Sequence, residues 1–108
     1  MANVISISKN KLARLEKIAS GIREDIINML VEAGSGHPAS SLGMTDIFTA
    51  MYFHILDHDP KRPNWKNRSR LILSSGHVCP AQYATMARAG YFPKKLLMSL
   101  RKFGSPLQ

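Results

Sequence analysis

At 108 residues with 44% hydrophobic content, the chain is one domain or a piece of one, and it is too apolar to be a disordered segment. A formal charge of +8 at pH 7 raises the question of nucleic acid, since basic surfaces gain affinity by releasing counterions from phosphate backbones. The basic residues are scattered, however, and only 7% of the chain is aromatic, so solvated helix faces and loops account for the charge and no nucleic-acid partner is expected. One cysteine, Cys79, excludes an internal disulfide. No stretch approaches the roughly 18 apolar residues of a membrane span, and the opening MANVISISKN has neither the cationic nor the apolar run of a secretory leader. The expectation is a cytoplasmic protein without a membrane partner.

In chain order, Leu12, Leu15, Ala19, Ile22, Ile26, Met29 and Ala33 recur at three- and four-residue steps, which predicts a helix with one apolar stripe from Asn10 to Ala33. Asn10 is the expected N-cap and Gly34 the stop. Gly21 inside the pattern costs about 1 kcal/mol relative to alanine, so it is expected to mark a close packing contact. A second helix is predicted to start near Met44, with Thr45 or Asp46 at its positive end, and to run to about Leu56. Asp57-His58-Asp59-Pro60 breaks it, and Lys61 to Asn67, with Pro63 and Trp65, reads as a surface loop.

Leu71-Ile72-Leu73 predicts a short buried strand. Pro80 suits a first helical turn, Gly90 closes the helix after Ala89, and a last helix is expected from Pro93 to Lys102, ending at Gly104. The predicted fold class is α/β, mostly helical as far as the chain goes, with one parallel-type strand. A lone strand leaves both rows of backbone N–H and C=O groups unpaired, so the other strands of its sheet are expected to lie elsewhere.

Two short loops carry the chemistry. Ser35-Gly36-His37-Pro38 and Ser75-Gly76-His77-Val78 each place a glycine and an imidazole ahead of a helix, where backbone N–H groups are free and a ligand can approach closely. This pattern suits an anionic, phosphorylated ligand. The competing reading of each histidine is a loop residue that holds a turn or caps a helix. His54 and His58 stand four apart, a spacing that can share a metal, but no third ligand accompanies them and a metal site is not expected. Cys79 near a helix start invites a nucleophile reading, yet no base is placed for it, so it reads as a packed residue.

The runs SGHPASSLGMTDIFTAMYFHILDHDP (Ser35 to Pro60) and RSRLILSSGHVCPAQYATMARAGYFP (Arg68 to Pro93) resemble the first two conserved blocks of transketolase, a resemblance that extends from about Leu12 to Gln108. The related deoxyxylulose-phosphate synthases share a loop like the first, but LSSGHVCPAQYA and the closing FGSPLQ are more similar to transketolase. The resemblance implies a partial N-terminal domain, residues 1–108, from the diphosphate-binding side of a doubly wound thiamine-diphosphate fold. It implies transfer of a two-carbon ketol unit between phosphorylated sugars in the pentose phosphate pathway, with His37 and His77 as catalytic residues and Gly76 and His77 at the cofactor. Ser40, Ser41 and Leu42 are weaker candidates for shaping the thiamine pocket. The family's third histidine, its GDG…N segment for Mg2+ and diphosphate, and the glutamate that activates thiamine have no counterpart in these residues. The expectation is therefore a fragment or subunit, inactive alone, whose partners are the remainder of the enzyme and, as is usual in the family, a second copy. The alternative is a non-catalytic interaction module that completes a partner's sheet.

Overall fold

The computed structural model describes residues 7–108, so most of the opening run read for a leader lies outside the described residues. Three α-helices carry the fold: α1 (Lys9–Ala33), α2 (Pro38–Ala50) and α3 (Cys79–Ala89). A π-helical turn (Met51–Ile55) prolongs α2, and two 3-10 segments (Gly76–Val78 and Lys94–Ser99) lead into α3 and follow it. Among the described residues no helix is long and apolar enough to cross a membrane.

The stripe on α1 forms as the spacing requires, with Leu15, Ala19, Ile22, Ile26, Met29 and Leu30 buried against α2 and α3. Its N-cap is Ser8, whose hydroxyl accepts the Lys11 N–H at 3.1 Å, two residues before the expected Asn10. Gly34 ends the helix at φ +72°, its N–H shared by the Leu30 and Val31 carbonyls. Leu12 leaves the expected stripe: it lies 49% exposed beside an open groove between α1 and α2. Gly21 has a clear reason, because a Cβ there would stand 2.8 Å from the Arg88 guanidinium. Arg88 must pass that point to reach Asp25, which it meets at 2.7 Å. Lys94 approaches the other oxygen of the same buried carboxylate at 3.1 Å, so one aspartate ties α1 to α3 and to the last 3-10 segment.

Helix α2 begins at Pro38, a full turn and more before Met44. Its buried face is polar by residue type: Ser41, Thr45 and Thr49 accompany Phe48. The threonine hydroxyls donate to carbonyls one turn back, Thr45 to Ser41 at 3.0 Å and Thr49 to Thr45 at 2.7 Å, so they are buried without losing their hydrogen bonds. Thr85 does the same on α3, beside Ala81, Ala84 and Ala87. Small side chains on both helices fill the seam between them. The π turn then carries the chain to Leu56, whose N–H reaches back five residues to Met51.

From Asp57 to Ser75 the chain is irregular, closed at its base by Ser69 N–H to the Asp57 carbonyl at 2.7 Å and Asp57 N–H to the Ser69 hydroxyl at 3.0 Å. Trp65 lies in this loop with the Arg62 guanidinium 5.0 Å from its ring centre. The expected strand at Leu71-Ile72-Leu73 does not form, and the described residues are all-helical rather than α/β. A strand exists only as half of a pair, and among the described residues no other segment shares backbone hydrogen bonds with this one. The last helix is also shorter and tighter than its sequence suggests. Leu97 and Leu100, both buried, are three apart, and a 3-10 turn superimposes that spacing where an α-helix would not. Arg101 at φ +60° then turns the chain back, its N–H meeting the Leu107 carbonyl at 2.8 Å, and Leu107 completes the core.

Candidate functional site

The two histidine loops meet. His37 is the residue before α2, His77 lies in the 3-10 turn that opens α3, and the packing of α2 against both segments sets their ring centres 5.6 Å apart at an interplanar angle of 76°. Both imidazoles are exposed, so each is open to a ligand from the same side of the molecule. The Ser75 hydroxyl lies over the His77 ring, 3.0 Å from Nδ1 and 3.3 Å from Nε2. The Ser35 hydroxyl accepts from Arg101 at 2.9 Å, which pins the first loop to the C-terminal segment.

The surroundings suit an oxygen-rich anion. Neither His37 ahead of α2 nor Ser75 ahead of the 3-10 turn makes a side-chain cap bond, so the first-turn N–H groups of both helical starts remain unclaimed by side chains. A Cβ on Gly76 would meet nothing within 4 Å, so the protein's own packing does not require glycine there and space is left over its backbone. Gly36 is constrained instead by φ +137° and by the Leu30 side chain, which occupies the place of a Cβ. The Ser41 hydroxyl, fully buried on the first turns of α2, has no hydrogen-bond partner. The geometry thus fits one wall of a site for thiamine diphosphate. Among the described residues no group of three or more His, Cys, Asp or Glu side chains is placed to hold a metal ion.

The remaining candidates lie elsewhere. His58 is engaged at both nitrogens, by the Tyr52 carbonyl at Nε2 and the Tyr91 hydroxyl at Nδ1. A carbonyl only accepts, so Nε2 carries the proton and Nδ1 accepts from Tyr91, which leaves no lone pair for a metal. Burial holds the Tyr91 phenol above its usual range, which keeps it protonated as that donor. His54, on the π turn, has its Nε2 buried without a partner. Cys79 faces the chain end, its thiol 3.7 Å from the Gln108 carbonyl, which also accepts from Tyr83 at 3.5 Å. Burial, with the Cys79 sulfur next in weight, raises the Tyr83 phenol above its ordinary value, so that phenol stays protonated and does not serve the thiol as a base. Sequence reasoning did not single out Ser75 and Arg101 as supports of the two loops. Ser75 adjoins a histidine motif and was within reach of a local reading, whereas Arg101 acts across 66 residues and leaves no local signal.

Comparison with known proteins gives the lineage. The family model described as "Transketolase, thiamine diphosphate binding domain" matches residues 15–106. The 6-deoxy-6-sulfo-D-fructose transketolase subunit SqwG of Clostridium sp. (strain MSTE9) is 40% identical over 93 residues, 86% of this chain and 34% of its own. The chloroplastic transketolase of Solanum tuberosum is 37% identical over 106 residues, 96% of this chain and 14% of its own. Transketolase of Homo sapiens is 34% identical over 99 residues, 92% of this chain and 16% of its own. The chain therefore spans 34% or less of the length of these relatives, and the residues that bring His37 and His77 together lie within the match. On the extent of that match, this chain belongs to the transketolase family, in the portion of it that forms the thiamine diphosphate binding domain.

Proposed function

We propose that this chain, residues 1–108, is one wall of the active site of a transketolase-type enzyme that moves a two-carbon ketol unit between phosphorylated sugars, a reaction of the pentose phosphate pathway. The observation that carries the reading is the meeting of the two imidazoles 5.6 Å apart on loops separated by the whole of α2 and the irregular segment after it. When bound, thiamine diphosphate supplies the carbanion-stabilising chemistry. His37 reaches toward the donor sugar near its reacting oxygens and helps to move protons there. His77 contacts both the cofactor and the sugar, and the open backbone at Gly76 lets the cofactor approach. The Mg2+ ligands and the activating glutamate belong to further polypeptide, so the isolated chain is inactive. The relative from Clostridium is named as a subunit, which supports assembly from more than one part. A second copy is a further expected partner, and a cytoplasmic location goes with this reading.

The test is a chimera in which this chain replaces the 106 matched residues of the Solanum tuberosum transketolase. The chimera is expected to transfer ketol units in a thiamine-dependent way, and His37→Ala and His77→Ala are each expected to lower kcat/KM by about 100-fold or more. An active chimera indifferent to both substitutions would overturn the assignment, as would ketol transfer by the purified 108 residues alone. A second reading, a non-catalytic module that completes a partner's sheet, is favoured by the unpaired segment at Leu71–Leu73. It predicts assembly with a partner that His37→Ala leaves intact.

A further inference from the structure

Two imidazoles held close on separate loops are a chelate as well as a pair of proton carriers. When two imidazoles bind one Zn2+, bonds of about 2.0–2.1 Å at tetrahedral angles set their ring centres about 5–6 Å apart. The His37 and His77 rings stand at 5.6 Å, and both are exposed, so a hydrated cation reaches the space between them. The backbone under each ring is already fixed. Pro38 at the first turn of α2 follows His37, and Gly36 before it packs on the Leu30 side chain. His77 is followed by buried Val78 in the turn that opens α3. Chelation therefore orders little beyond the torsions of two side chains, and the fold itself does the rest of the assembly.

The donor set selects the cation. Among the described residues no Asp or Glu joins the pair, and the chain carries a charge of +8, so an oxygen-seeking ion such as Mg2+ or Ca2+ is repelled without compensation. A borderline cation that takes neutral nitrogen gains two inner-sphere bonds instead. The other two histidines are poor competitors, since both nitrogens of His58 are engaged and Nε2 of His54 is buried. We propose that His37 and His77 form a two-imidazole site for Zn2+ and cations of its class, with water in the remaining positions, and that an ion held there shuts the site to cofactor and sugar. A ring whose lone pair is on the metal accepts no proton, so the ion removes proton transfer along with access. The blocking step rests on the proposed function, because the same two rings must face those ligands.

Calorimetric titration of the 108-residue chain with ZnCl2, with NMR of its histidine ring signals, tests the site. The expected result is one Zn2+ per chain, half-saturated on the order of 10 µM as suits a half-filled tetrahedral set, with shifts at His37 and His77 but not at His54 or His58. His37→Ala and His77→Ala are each expected to weaken binding by at least about 10-fold, while Cys79→Ala and excess MgCl2 leave it unchanged. Helical circular dichroism identifies the variants that stay folded, and His37→Gln or His77→Gln replaces one that does not. In the Solanum chimera, Zn2+ at about ten times half-saturation is expected to remove about 90% of ketol transfer when it precedes the cofactor, and little when it follows. Zinc binding that survives both substitutions, one ion shared by two chains, or no saturation by about 1 mM would overturn the site. An active, histidine-dependent chimera that Zn2+ does not inhibit would discard this inference and keep the functional reading. Histidine-dependent zinc binding beside an active chimera indifferent to His37 and His77 would keep the metal site, while the functional reading and the blocking step fell together.

Discussion

The interior formed by α1, α2 and α3 and the stretch from Asp57 to Val78 both carry large apolar side chains, but they end in different conditions. In the first, Ile22, Ile26, Met29, Phe48, Ala81 and Leu97 are buried almost completely, and even the threonines in the seam have hydrogen-bond partners. In the second, Ile72 faces outward, five backbone units in a row lack backbone partners, and His77 stands on the surface. The contrast separates what the described residues complete among themselves from what they leave unpaired. Local helical hydrogen bonds and a small-residue seam need no outside help, whereas a strand does.

The sharpest way to break that comparison is to place the same charge in both regions. Ile26→Asp buries a carboxylate without a partner at a fully buried position and is expected to unfold the chain. Ile72→Asp is expected to change stability by less than about 0.5 kcal/mol in the free chain. Urea titrations followed by helical circular dichroism decide it, and comparable losses from both would mean that the segment around Ile72 is packed in solution.

Next in size is the Asp25 clamp, which belongs to the finished region. Asp25→Ala strands Arg88, whose Nε is already buried without a partner, and is expected to cost about 3 kcal/mol. Lys94→Ala removes a cation that is mostly exposed and is expected to cost no more than about 1 kcal/mol. Equal effects on the urea midpoint would show that the two cations share the load and that burial of Arg88 does not matter.

The two histidine loops divide along the same line. Gly36→Ala forces a side chain into φ +137° and against Leu30, with an expected loss of about 1–3 kcal/mol and a displaced His37 ring. Gly76→Ala meets open space at an ordinary φ and is expected to leave the urea midpoint nearly unchanged. In the chimera it should instead raise the thiamine diphosphate concentration needed for activity, because under the proposed function the added methyl stands where the cofactor would approach. Unaltered cofactor dependence would remove Gly76 from the site.

How much of this was legible in the sequence follows from the same physics. Helix α1 could be read because its burial is apolar and periodic, and Gly34 and Gly90 mark helix ends by residue type. The start of α2 was missed because its buried face is Ser41, Thr45 and Thr49, and hydroxyls bonded to the preceding turn do not register as hydrophobic periodicity. Pro38 at the first turn was the signal available. Leu71-Ile72-Leu73 has the alternating burial of a strand without the pairing, because pairing is a property of two segments and no partner segment lies among the described residues. The histidines could be named from their motifs, but their convergence depends on the packing of α2 on α3, which no local pattern encodes.

The smallest effect tests whether ion pairs at the rim add to the finished region. Lys102, hydrogen-bonded to Glu32 at 2.7 Å and attracting it by charge, holds that carboxyl below its usual value. A depressed folded-state pKa means that the unfolded chain takes up the proton first as pH falls. The pair's contribution is therefore complete above the ordinary glutamate range and disappears as pH drops through the lowered folded value. Because about half of each side chain meets solvent, salt and water screen the pair, and Glu32→Gln is expected to leave the urea midpoint at neutral pH unmoved. An NMR titration of the Glu32 side chain should still record the downward shift at low salt and lose most of it at 0.5 M NaCl. If the shift survived high salt, the link between α1 and the C-terminal segment would be less solvated than its exposure implies, and the tail that pins the His37 loop would count among the finished parts of the molecule.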